Sequence, residues 1–305
     1  MQALRLGDSS SSVAHFEMCR RMLAARLSQP RALEDSSLLK LYRVVAECII
    51  YNLATLSPFH TGVQNAAQDW QESFDCLFSK DDHMLSPFLG GLHGVYRIMF
   101  RTNTLMRQTK EGPESKPSTS SMALGELWEE LNDLEHRVPA SYHAVENEDD
   151  RKLYTAKQKI SVLALRIHLV KVSRPSATAS DILVRRYLLK ALDVLKQQNV
   201  HEDLNPALRW PLTILACAAE TEGDFDFLDA KMYEIAAILD PANKQKLLSA
   251  SAVLRQFRSR STNESCPEER TWHPRNQLDF LLEPQHLDGV VMPCAAHVVA
   301  PIPIR

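Results

Sequence analysis

Apolar residues recur at steps of three and four through most of this chain, and prolines stand between the runs. Leu38, Leu41, Tyr42, Val45, Ile49, Leu53 and Leu56 form one such series, which stops before Pro58. That spacing brings side chains onto one face of a helix, and proline ends a helix because it clashes with the preceding turn and has no N–H to donate. Only nine of the 305 residues are glycine, too few for a turn-rich β protein. The reading is an all-α chain, an irregular multi-helix bundle of about ten helices with a mostly non-helical C-terminal tail.

The expected helices follow the same logic. Val13 to about Leu27 has Ser12 as N-cap and Pro30 beyond its end, with Val13, Phe16, Leu23 and Leu27 facing the core. The Leu38 series makes the second helix, and Asn65 to Phe78 a shorter, more polar one. Ser86-Pro87 reads as cap and first residue of a helix from Phe88 to about Met106, with Leu92, Tyr96, Met99 and Leu105 inward; Gly90, Gly91 and Gly94 weaken its first turn. Residues 110–122 carry no large apolar residue before Met122 and are expected to be a flexible loop. Leu124, Leu127, Trp128, Leu131 and Leu134 then follow at helical spacing. After the charged run Glu146 to Lys152 comes a helix with Leu153, Ile160, Leu163, Leu165, Ile167 and Val170, closed by Pro175. Asp181 to Gln198 is amphipathic, with Ile182, Leu183, Tyr187, Leu188, Ala191 and Leu195 on one side. Phe225 to Leu239 and Ala242 to Phe257 supply two more helices, and residues 258–305 are read as an irregular tail whose Val290 to Ile304 stretch suits edge strands or an extended segment.

Several function classes lack a signature. The formal charge of -3 offers no basic footprint for a phosphate backbone. The six cysteines, at 19, 48, 76, 217, 266 and 294, are too far apart for a C-x2-C zinc site; for the three that fall inside apolar helical patterns reduced, buried thiols are the expectation, and with them an intracellular location. No secretory leader or membrane span is read from the chain. Phosphate-cradling loops, a hydrolase elbow and zincin motifs are absent. The paired aspartates, Asp81-Asp82 and Asp149-Asp150, lack a third carboxylate three residues on and read as solvated helix caps, not magnesium ligands. His168, beside Arg166 and Lys171, reads as a helix-edge histidine. Neither metal nor cofactor is expected, and no residue is selected as catalytic.

One stretch is more specific. Trp210-Pro211-Leu212 is followed by Ile214 and then Ala216-Cys217-Ala218-Ala219. Proline suits the first helical position, so a helix is expected to open at Pro211 and to run on to about Gly223, its small residues allowing close packing. Trp210 is read as a large core anchor, with an effector-pocket wall as the functional alternative, and Cys217 as a packing residue.

This stretch resembles the C-terminal regulatory domain of fungal zinc-cluster transcription factors, whose late helix commonly opens Trp-Pro-Leu and continues through small residues with a cysteine. The resemblance is clearest over residues 153–257, where an apolar Leu163 to Leu169 segment and the Arg185 to Leu195 helix precede it. Departures are Ala216 where glycine is frequent, Ala218 where an acidic residue is frequent, and no closing tryptophan-bearing helix near Phe257. The family's N-terminal six-cysteine zinc cluster is also not seen before the helical body, so the chain is expected to be a piece of a longer protein or a regulator that acts without touching DNA.

The resemblance implies a helical regulatory domain over 1–257 that controls fungal metabolic or biosynthetic genes from the nucleus and carries no catalytic activity. It implies protein partners from the transcription machinery or a DNA-binding regulator, with room for a small-molecule effector and a homodimer. It offers Trp210, Pro211 and Cys217 as family-signature or effector-pocket residues. The alternative from a different class is a helical, cyclase-like biosynthetic enzyme with an apolar cavity.

Overall fold

The computed structural model describes residues 9–28, 36–56, 77–78, 89–110, 117–143, 145–197, 208–239, 241–261 and 276–283. The described residues form an all-α fold built on one helix that is buried on nearly every side. The helices are α1 (Ser9–Leu27), α2 (Ser36–Leu56), α3 (His93–Lys110), α4 (Pro117–His136), α5 (Ala140–His143), α6 (Glu148–Ser173), α7 (Ile182–Gln197), α8 (Arg209–Ala218), α9 (Glu222–Ile238) and α10 (Pro241–Ser261), followed by a short 3-10 helix (Gln277–Leu281).

Helix α6 is the axis. Every position from Ala156 to Val172 except Lys159 is buried, because α3, α4, α7, α8 and the 3-10 helix all pack on it. The charged run before Leu153 is part of this helix and not its leader. Asn147 accepts the Asp149 N–H at 2.9 Å, and Glu148, Asp149 and Asp150 place negative charge where the free N–H groups of the first turn point. At the other end the Arg174 N–H bonds Val170 O at 2.9 Å, before Pro175 breaks the pattern.

Helix α8 opens two residues earlier than Pro211, at Arg209, and closes at Ala218 well before Gly223. Pro211 is its third residue. The first four N–H groups of any helix have no intrahelical acceptor, so a proline there removes no hydrogen bond. The next helix, α9, starts at Glu222 because Thr221 Oγ1 accepts the Asp224 N–H at 3.1 Å, so Gly223 lies inside its first turn.

In the N-terminal half, α2 lies between α1 and α3, and α3 reaches α4 and α6. Helix α1 begins at Ser9, so Ser12 is within it and is not its cap. Leu23 is in the core; the side chains of Val13 and Phe16 lie outside the described ones. On α2, Leu38 and Leu41 face solvent, while Ala46, Ile49, Ile50, Leu53 and Ala54 are buried.

The glycines before α3 do more than weaken its start. Gly90 and Gly91 adopt φ of 56° and 83°, and a Cβ on Gly91 would lie 2.8 Å from the Tyr142 ring. The helix therefore begins at His93, not Phe88, and the turn is fixed by Tyr142, whose hydroxyl donates to Gly90 O at 2.7 Å, and by the buried Glu47 carboxylate, which accepts the Leu89 N–H at 3.2 Å.

Two further expectations need correction. The loop expected over 110–122 is helical from Pro117, which occupies the first position of α4. The tail expected to be irregular from 258 is helical to Ser261, and residues 277–281 form a capped 3-10 helix packed on the body. Of the polar helix expected over Asn65 to Phe78, only Leu77 and Phe78 are described, both buried; the rest, like Val290 to Ile304, lies outside the described residues.

Candidate functional site

Trp210, Pro211 and Cys217 share α8, ten consecutive residues of which are buried. A short helix is buried all round only when neighbours cover each face; here α6, α7, α9, α10 and the 3-10 helix do so. Its small residues 216–218 permit the close approach.

At the N-terminal end of α8, the Trp210 indole meets the His168 ring of α6 edge to face, with centroids 6.3 Å apart at 61°. The neighbouring Arg209 guanidinium donates to the Tyr51 hydroxyl at 3.2 Å, and Tyr51 packs edge-on against Tyr96 at 5.1 Å. Burial raises the Tyr96 hydroxyl well above its ordinary range. Helices α2, α3, α6 and α8 thus meet through rings.

His168 is not a helix-edge residue. It is buried in the interior of α6 with neither Nδ1 nor Nε2 hydrogen-bonded, and burial pushes its pKa down to about 4. A neutral imidazole without partners is held there by packing. At the other end of α8, Cys217 is fully buried and burial pushes its thiol upward, which makes it an unreactive packing residue.

The buried charges face one another. Arg166 of α6 donates to Asn132 Oδ1 at 2.7 Å, pairs with Glu135 at 2.5 Å, and lies between the Trp128 and Tyr187 rings. Asp229 of α9 accepts from Ser251 and Arg255 of α10. Gln158 caps the end of α4 by donating to Leu134 O at 2.8 Å and Arg137 O at 2.9 Å. Lys171 Nζ donates to Pro175 O at 2.5 Å, Ala177 O at 2.9 Å and Asp279 Oδ1 at 2.7 Å. These groups join elements of the fold to one another.

Sequence reasoning passed over Lys171, Asp279, Arg258 and Gln277. Lys171 could have been flagged as a charge inside a long apolar run, but its partner lies 108 positions away and carries no local signal. Asp149 and Asp150 sit exposed in the first turn of α6, as cap residues do, and Asp81-Asp82 lies outside the described residues. Among the described residues no group of three or more His, Cys, Asp or Glu is placed to hold a metal ion, and no helix is long and apolar enough to cross a membrane.

Comparison with known proteins yields no match among curated proteins and none among solved structures. It does yield a family. The model described as fungal specific transcription factor domain matches residues 5–265, nearly the whole helical body from α1 through α10. On a match of that extent, this chain belongs to the fungal specific transcription factor domain family.

Proposed function

We propose that the chain is the regulatory and effector domain of a fungal transcription factor, acting in the nucleus on metabolic or biosynthetic genes through protein partners and a small-molecule effector, without contacting DNA itself. The observation that carries this reading is the family match over residues 5–265. The net charge of -3 supports the absence of DNA contact, because duplex binding rests on clustered Lys and Arg that release counterions. Against the alternative of a cyclase-like enzyme stands the use of buried polar groups: Arg166, Lys171, Asp229 and Gln158 are engaged in contacts that tie elements of the fold together.

Fusion of the full chain to a heterologous DNA-binding module, read on a reporter with matching sites, tests the reading. Expression should change relative to the module alone, and the change should depend on metabolic state; an inert fusion that is folded and nuclear counts against it. The chain without the module should show no sequence-dependent DNA binding, and an anisotropy titration giving submicromolar, sequence-dependent affinity would remove the claim of indirect action.

Trp210 belongs to the core in this proposal. A Trp210→Ala chain that melts like the parent yet loses reporter regulation would move it, with Pro211 and Cys217 of the same helix, to an effector pocket.

A further inference from the structure

The 3-10 helix Gln277–Leu281 lies outside residues 5–265, the span that matches the family, yet it sits in the middle of that span's packing. Leu278, Phe280 and Leu281 are buried, and Phe280 meets Phe257 of α10 edge to face at 5.5 Å. The polar contacts come from the receiving helices. Lys171 of α6 donates to Asp279 at 2.7 Å; Gln277 donates to Ala216 O at the end of α8; and Arg258 of α10 donates to Gln277 Oε1 at 2.9 Å and to Ala219 O at 2.8 Å. The segment thus reads as a short ligand: three apolar anchors at 278, 280 and 281, one carboxylate met by a buried lysine, and one amide that engages a helix end and an arginine.

We propose that the surface formed by α6, α8 and α10 is a docking groove for a short peptide of the pattern leucine, aspartate, phenylalanine, leucine, and that residues 277–281 occupy it in cis as a detachable strap. Two features favour detachment. The strap carries its own capping bonds, since the Asn276 side chain accepts the Leu278 N–H at 3.0 Å and Asp279 Oδ2 accepts the Asn276 N–H at 3.0 Å, so these contacts leave with it. Its departure also leaves Lys171 bonded to the Pro175 and Ala177 carbonyls, at 2.5 and 2.9 Å, so the amine keeps partners within the body. The occupant in trans is a partner protein's segment of the same chemistry. Seated in the groove, the cis strap excludes a partner peptide until it is loosened. This site stands apart from the transcriptional role, and peptide binding and reporter output can fail independently.

The test uses the full chain and a fluorescein-labelled peptide of residues 274–284, PRNQLDFLLEP. The unaltered chain should bind it weakly, and Leu278→Asp combined with Phe280→Asp in the chain should raise peptide affinity at least tenfold. The same peptide carrying Asp279→Asn should lose most of that gain. No gain in a variant that remains folded would overturn the proposal. Hydrogen exchange on the unaltered chain decides the matter without substitution: strap amides, including those of Asp279 and Leu282, should exchange well before the interior amides of α6 and α8. Exchange of strap and core together, at the rate of global unfolding, would make the strap an integral part of the fold and end the proposal. Reversible dimerisation of the unaltered chain that Leu278→Asp abolishes would assign the groove to a second copy, which also overturns it.

Discussion

His168 and Lys171 lie three residues apart on α6, and both are buried, yet they are treated in opposite ways. Lys171 reaches the loop after α6 and the 3-10 helix, where three oxygens accept its protons, one of them from Asp279. His168 reaches the N-terminal end of α8, where it meets the Trp210 ring and no protein group bonds either nitrogen. The comparison shows two means of burying an ionisable group in one helix. The lysine amine is buried with three hydrogen-bond acceptors, whereas the imidazole sheds its proton and is packed as an aromatic.

The sharpest break comes from Trp210→Ala. Truncation of a large buried aromatic costs about 3–5 kcal/mol, and the loss should appear as a large fall in the thermal midpoint, since domains are stable by only about 5–15 kcal/mol. At the lysine site, Lys171→Met should cost about 2–3 kcal/mol in a denaturant titration. It leaves the Pro175 and Ala177 carbonyls without a donor, while the partly exposed Asp279 keeps its Asn276 contacts and limits the loss below that of a fully buried pair.

Acid should separate the two residues further. The folded-state pKa of His168, about 4, lies below its ordinary 6.5, so the unfolded chain takes up a proton first as pH falls. The stability of the neutral form is fully present above pH 6.5 and is lost progressively between 6.5 and 4. At pH 5 the loss is about 2 kcal/mol. His168→Leu should abolish that part of the pH dependence while leaving neutral-pH stability unchanged or improved, because both unpaired nitrogens are removed; an unaltered acid slope in the variant would refute the assignment.

The smallest effect belongs to Pro211→Ala. The third helical position accepts alanine, and the change mainly enlarges the unfolded ensemble, so a cost below about 1 kcal/mol is expected from the melting midpoint. A larger cost would mean that the pyrrolidine ring itself is a core contact equal to Trp210.

Much of this arrangement was legible where one helix face meets water. Leu92, Tyr96, Met99 and Leu105 were identified as inward and are buried, because α3 is covered on one side and its period stays visible. Helix α7 was legible in part. Leu188, Ala191 and Leu195 are buried as expected, but Ile182 and Leu183 turn outward, and Val184 and Leu192 take the interior instead. The core placement of Trp210 was also anticipated, although the helix start was placed at Pro211 because the tolerance of the whole first turn for proline was read as belonging to one position.

The sequence by itself determined the helical character, most helix limits within a few residues, and the family, because propensity, capping and proline breaks act over a single turn, and the Trp-Pro-Leu signature is contiguous. Tertiary structure decided the rest. Which helix becomes the axis depends on how many neighbours cover it, and α6 carries Lys157, Arg166, His168 and Lys171 at positions that a local reading turns to solvent. The pairing of Lys171 with Asp279 spans 108 residues, and the seating of Gln277–Leu281 on α8 brings together segments with no pattern in common. Long-range electrostatic and apolar contacts are set by three-dimensional proximity, and only the folded chain supplies it.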